Sequence, residues 1–77
     1  MCLRMDIRET FGKNLKRFRL KAGISQGALA AKMGVDRAHV SAMERGQQNV
    51  TIVTLWHVAI ALEVKPAALL EDGPERG

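Results

Sequence analysis

Residues 26–45 read QGALAAKMGVDRAHVSAMER, and this stretch decides the fold. Leu29, Ala30 and Met33 fall at i, i+1 and i+4, the inward face of one helix. Gly34 interrupts the pattern, Val35 follows, and Asp36 is a favoured N-cap for a second helix. In that helix Val40 and Met43 turn inward three residues apart. Two short helices joined by a glycine-bearing turn of three or four residues, crossing at roughly 90–120°, form a helix-turn-helix. Gly34 suits the turn, because a residue without Cβ tolerates positive φ. That geometry leaves the second helix on the surface, free to enter a DNA groove.

The flanks predict three further helices, for five in all. The first covers residues 8–22, with Phe11, Leu15, Phe18 and Ala22 inward and Lys13, Lys16, Arg17 and Lys21 outward. Gly23 ends it, and Ile24 packs inward. Ser25 is the N-cap expected for the second helix, which ends near Met33, and the third spans residues 37–45 and stops at Gly46. After a polar loop, Thr51 caps a fourth helix to about residue 62, and Pro66 opens a short fifth helix through Leu70. No strand pattern, repeat or linker is present. The expectation is a compact all-α fold, one domain over residues 1–77, ordered over about 7–70 with a flexible tail at 71–77.

Seventy-seven residues, 47% hydrophobic and 26% charged, suit a small globular core and not a disordered chain. No apolar run approaches the ~20 residues of a membrane span, and the N-terminal ten lack a signal-peptide core. A cytoplasmic protein, associated with the nucleoid, is expected. Cys2 is the single cysteine, so no internal disulfide can form, and it is read as an unremarkable terminal residue. Cys2, His39 and His57 lack metal-ligand spacing, so neither metal nor cofactor is expected, and no small-molecule ligand. The net charge of +4 is uneven. Residues 1–50 hold ten Lys/Arg against four Asp/Glu, and residues 51–77 hold two against four. A basic half bearing the helix-turn-helix suits double-stranded DNA on one side.

Within the third helix, Ala38, Ser41, Ala42 and Arg45 lie opposite Val40 and Met43. Three of the four are small, which permits close approach to base edges, and an alanine methyl can touch a thymine methyl. Arg37, in the first turn, is placed to bind guanine O6 and N7 in bidentate fashion, with a phosphate contact as the alternative. Asp36 is read as a cap and His39 as a flanking residue. Ser25 and Gln26 open the second helix, where free N–H groups attract phosphate. Gln26 and Arg45 are therefore phosphate candidates, and Gln47, Gln48 and Asn49 follow as weaker ones. Arg19 and Glu44 sit at the edges of inward faces and are expected to form an ion pair that ties the first helix to the third. On the fourth helix Ile52, Leu55, Val58, Ala59 and Leu62 are expected to face the core. Val53, Trp56 and Ile60 extend the apolar surface beyond what one small core requires, and with Leu69 and Leu70 they predict a homodimer interface, the alternative being a wide buried face with Trp56 as a partly exposed lid.

The segment 11–70 resembles the phage-repressor and Cro type of helix-turn-helix regulators, the XRE family. The matching residues are Arg19, Ile24-Ser25-Gln26, Leu29-Ala30, Gly34-Val35, Val40 and Met43-Glu44-Arg45-Gly46. The resemblance implies a five-helix lambda-repressor-like domain that binds partly palindromic operators as a dimer. It also implies that Arg37, Ala38, Ser41 and Ala42 read bases, that Gln26 holds phosphate, and that Arg19 and Glu44 form a buried pair. Residues 35–70 are further similar to controller proteins of restriction-modification systems, in which residues matching Gln48 and Asn49 contribute to DNA contacts. Here the loop is neutral where that subfamily tends to be basic.

The expected function is a sequence-specific transcriptional regulator, with autoregulation of a restriction-modification operon as the narrower expectation. The alternative is an antitoxin-like interaction module with secondary DNA binding. An enzyme is not expected: Ser41 and His39, two apart on one helix, point apart and cannot form a nucleophile–base pair.

Overall fold

The computed structural model describes residues 6–71. Three of the α-helices begin where a side chain satisfies a first-turn N–H group. Asp6 opens α1 (Ile7–Lys21) by accepting from the Arg8 N–H. Ser25 opens α2 (Gln26–Met33) by accepting from Ala28, and Thr51 opens α4 (Ile52–Leu62) by accepting from Thr54. Asp36 occupies the cap position of α3 (Arg37–Glu44), but its side chain makes no capping hydrogen bond. Among the described residues there is no strand.

Each α-helix also stops in the same way. Beyond α2, Gly34 takes φ 73°, Val35 N–H donates to Ala30 and Gly34 N–H to Ala31, the paired closure of a Schellman turn. α4 closes with the same two bonds around Glu63 at φ 58°, a conformation that costs a side-chain-bearing residue roughly 1–2 kcal/mol. The expected fifth helix is a 3₁₀ helix, Pro66–Leu70, so the α-helices among the described residues number four. With i→i+3 bonding such as Ala68 N–H to Lys65, five residues complete too little of an α ladder to prefer it.

Phe11 and Leu15 of α1, Leu29 of α2, Val40 and Met43 of α3, and Val58 and Leu62 of α4 meet in one core. Three sequence expectations need correction. Leu69, expected at a subunit surface, is fully buried in that core. Asn14 is the cause: this buried side chain donates through Nδ2 to the carbonyls of Leu69 (2.9 Å) and Glu71 (2.7 Å). The last segment is thereby laid along α1, with Leu69 inward and Leu70 outward. Ile52, expected in the core, is 82% exposed, because at the first position of α4 it stands on the rim of the groove between α1 and α4. Ala22 is exposed as the C-cap of α1. The expectations for Cys2 and for residues 72–77 lie outside the described residues.

α1 and α3 touch at Gly12. A Cβ there would lie 2.5 Å from the Met43 carbonyl oxygen and 2.8 Å from that of Glu44. Both obstacles are backbone, so a helix must shift to admit even one methyl. Gly12→Ala is expected to destabilise by about 1–3 kcal/mol. For a domain of this size that is a fall of several degrees in thermal midpoint, at roughly 4–8 °C per kcal/mol, read by circular dichroism.

Candidate nucleic-acid interface

The outward side of α3 is built from short side chains backed by a fixed scaffold. Val40 and Met43 anchor it to the core, while Arg37 and Ala38 are exposed and Ser41 and Ala42 half-buried on the remaining surface. The four expected base readers therefore share one accessible strip of the helix. Arg45 stands at its far end and donates through Nη1 to Ser41 Oγ and through Nε to Gln47 Oε1 (3.2 Å). His39 is half-buried on the flank.

Behind this strip lies the expected ion pair. Arg19 donates to both oxygens of Glu44, Nε to Oε2 at 2.5 Å and Nη2 to Oε1 at 3.2 Å, with the two side chains only 9% and 5% exposed. Arg19 Nη1 also donates to the Ile24 carbonyl (2.9 Å), which brings the turn before α2 into the same arrangement. A bidentate fork is the strong geometry for a guanidinium and a carboxylate.

Gln26 is part of this network. Its Nε2 donates to Glu44 Oε1 (3.0 Å), and its Oε1 accepts from Arg37 Nη1 (3.1 Å). Four side chains thus run in sequence from α1 to the first turn of α3: Arg19, Glu44, Gln26, Arg37. Spacing along the chain could suggest the first pair, but not the two links that follow.

The other phosphate candidates are dispersed. Ser25 Oγ is engaged by the Ala28 N–H (3.0 Å), so what α2 presents to an anion is its leading backbone. Gln48 is half-buried. Asn49 Oδ1 accepts from Arg8 Nη1 (3.2 Å), which ties the loop after α3 to the start of α1. Arg8 is in turn paired with Asp6 at 2.6 Å, and its guanidinium holds the Asp6 carboxyl below the usual carboxylate range. Sequence reasoning missed Arg8, Asn14 and Gly12, each of which makes a contact 30 or more residues away. Gly12 alone carried a signal, as a glycine inside a helical apolar pattern. The described residues contain no group of His, Cys, Asp and Glu able to hold a metal ion, and no helix long and apolar enough to cross a membrane.

A slim exposed helix mounted on a buried cross-tied pair defines a helix-turn-helix DNA-binding module. The chain matches the helix-turn-helix family over residues 15–69. It is 36% identical over 71 residues to the uncharacterized HTH-type transcriptional regulator y4dJ of Sinorhizobium fredii, covering 92% of each chain. Control protein C.MunI of a Mycoplasma species is 35% identical over 68 residues, covering 87% of this chain and 92% of that one. The crystal structure of the restriction-modification controller protein C.AhdI of Aeromonas hydrophila superposes with a TM-score of 0.77 at 40% identity, covering 80% of this chain and 94% of that one. The protein belongs to the XRE-type helix-turn-helix family of DNA-binding transcriptional regulators, whose members are not enzymes.

Removing one partner of the pair strands a charge in the interior. Glu44→Ala is expected to cost about 3–5 kcal/mol, and the double change Arg19→Met with Glu44→Met much less than the two single changes together. Urea titrations of the wild type, Glu44→Ala, the two single methionine variants and the double variant measure this.

Proposed function

We propose that this protein is a homodimeric, sequence-specific transcription regulator that places α3 of each protomer in successive major grooves, ~34 Å apart. The observation that carries the reading is the composition and exposure of the outward strip of α3, where Ala38, Ser41 and Ala42 leave a surface slim enough to meet base edges. Arg37 reads a guanine from the first turn. Arg45 and the leading N–H groups of α2 at Ser25 hold phosphates, with Gln48 and Asn49 following along the loop. The basic residues of the first fifty give the encounter its sign and its salt dependence.

Dimerisation uses the outer face of α4. Val53, Trp56 and Ile60 are 62%, 53% and 56% exposed, and Leu70 joins them from the 3₁₀ helix. Apolar side chains so exposed, and neighbours on one helix face, are costly to leave in water. Likeness to C.MunI and C.AhdI supports a controller of restriction-modification genes, acting on its own operon through its own concentration.

Binding to the DNA upstream of its gene, compared with random duplex, tests the reading, with preference for the upstream DNA expected. On that DNA, Arg37→Ala is expected to lose about 1–3 kcal/mol of discrimination at one base position per half-site, and Arg45→Ala to weaken all sequences alike. Equal affinity for both DNAs defeats sequence-specific control. In sedimentation at tens of micromolar, a dimer is expected that Ile60→Lys converts to monomer. A monomer throughout, with one different protein bound stoichiometrically in its place, favours the antitoxin-like module.

A further inference from the structure

We propose that Arg8, which lies outside the helix-turn-helix, is a positioning residue that turns the amide of Asn49 toward the DNA backbone. The inference rests on Asn49 being the phosphate contact proposed above.

A guanidinium can only donate hydrogen bonds, whereas a side-chain amide has one accepting end and one donating end. Arg8 Nη1 donates to Asn49 Oδ1 (3.2 Å), so the amide sets its oxygen toward the arginine. Its NH2 group, two donors and no acceptor, is then left for an anion on an exposed residue. Arg8 is itself held from the other side. Nε donates to Asp6 Oδ1 (3.1 Å) and Oδ2 (3.0 Å), and Nη2 donates to Oδ2 (2.6 Å). That fork fixes the plane of the guanidinium and leaves Nη1 for the loop. The same carboxylate accepts from the Arg8 backbone N–H (3.0 Å), so the end of α1 sets the direction of the arginine.

Two further contacts hold the loop after α3 against the first turn of α1. Gly46, at φ 73°, brings the backbones so close that a Cβ there would lie 3.2 Å from Glu9 Cα. Val50 lines one groove with Ile7, Arg8 and Phe11. The loop is thus fixed on α1 at both ends, and between them Arg8 grips Asn49. An exposed asparagine otherwise samples several rotamers and must be ordered when it binds. The charges of Asp6 and Arg8 cancel, so the pair gives the interface direction without adding net attraction for DNA. A direct contact between Arg8 and a phosphate would act through charge and independently of Asn49. The two roles give different patterns.

The test measures affinity, across a range of salt, for a site selected by the wild-type protein from a random duplex pool and for random duplex. Wild type, Asn49→Ala, the double variant Asp6→Asn with Arg8→Met, and all three changes together are compared. Asparagine keeps the cap of α1, and methionine keeps an apolar stem in the groove. The pair is removed with no change in net charge, and thermal melts verify the folds. Asn49→Ala is expected to weaken binding to both DNAs roughly three- to tenfold. The double variant should weaken both by a similar factor, and the triple variant should be no weaker than Asn49→Ala. The slope of log K against log salt should stay unchanged throughout, because no cation is lost from a phosphate. A slope reduced by about 0.9 or more in the double variant makes Arg8 a direct contact and overturns the proposal. Factors that multiply in the triple variant overturn it too, as does wild-type affinity in the double variant beside a weakened Asn49→Ala. If Asn49→Ala itself binds like wild type, the phosphate assignment of Asn49 fails in its own arm and the proposal falls with it.

Discussion

The paired charges of Arg19 and Glu44 are the constraint on which the DNA-facing surface depends. α3 has eight residues, too few to be stable alone, and it offers the core two large side chains, Val40 and Met43. Two such contacts fix the distance of a helix from its support but leave it able to roll. The guanidinium fork at its C-terminal end removes that freedom, because two parallel hydrogen bonds hold only when both planes are aligned. Apolar side chains of equal volume would fill the same space at less desolvation cost, but they carry no such direction. Gly12 completes the restraint from the α1 side by letting backbone meet backbone.

The arrangement separates rigid and exchangeable parts. Residues that set the position of α3 lie on α1 and in the core, away from the outward strip. On the strip, Ala38 is exposed and Ser41 and Ala42 are half-buried, outside the core that Val40 and Met43 enter. Arg37 stands between the two regimes, outward in position yet connected through Gln26 to the interior.

The helix-turn-helix, its glycine turn and its exposed face were legible in the chain because each is a local property: apolar spacing, a cap, a residue suited to positive φ. Ser25, Thr51 and Gly34 behave as their types dictate. The Arg19–Glu44 pair was legible for a different reason, since long charged side chains at the edges of inward faces need partners. What could not be read depends on distant chain meeting chain. Asn14 is an ordinary polar residue until Leu69 and Glu71 turn their carbonyls to it, and without that anchor nothing in PAALLE says which leucine points inward. Glu63 in a left-handed conformation gives no sign in its type, because tertiary packing of Val64 decides it. Ile52 fitted the apolar arc and still lies outside, since a wheel knows angles but not where the neighbouring helix ends.

α4 has no polar side to speak of, with Val58, Ala59 and Leu62 inside and Trp56 and Ile60 outside on the same eleven residues. Under the proposed assembly this helix is shared between holding the monomer together and joining it to a second. Folding and association are then linked through mass action, and melting temperature becomes a function of how much protein is present. A cell that has made few molecules holds a weaker fold as well as fewer dimers, so scarcity is doubly silencing.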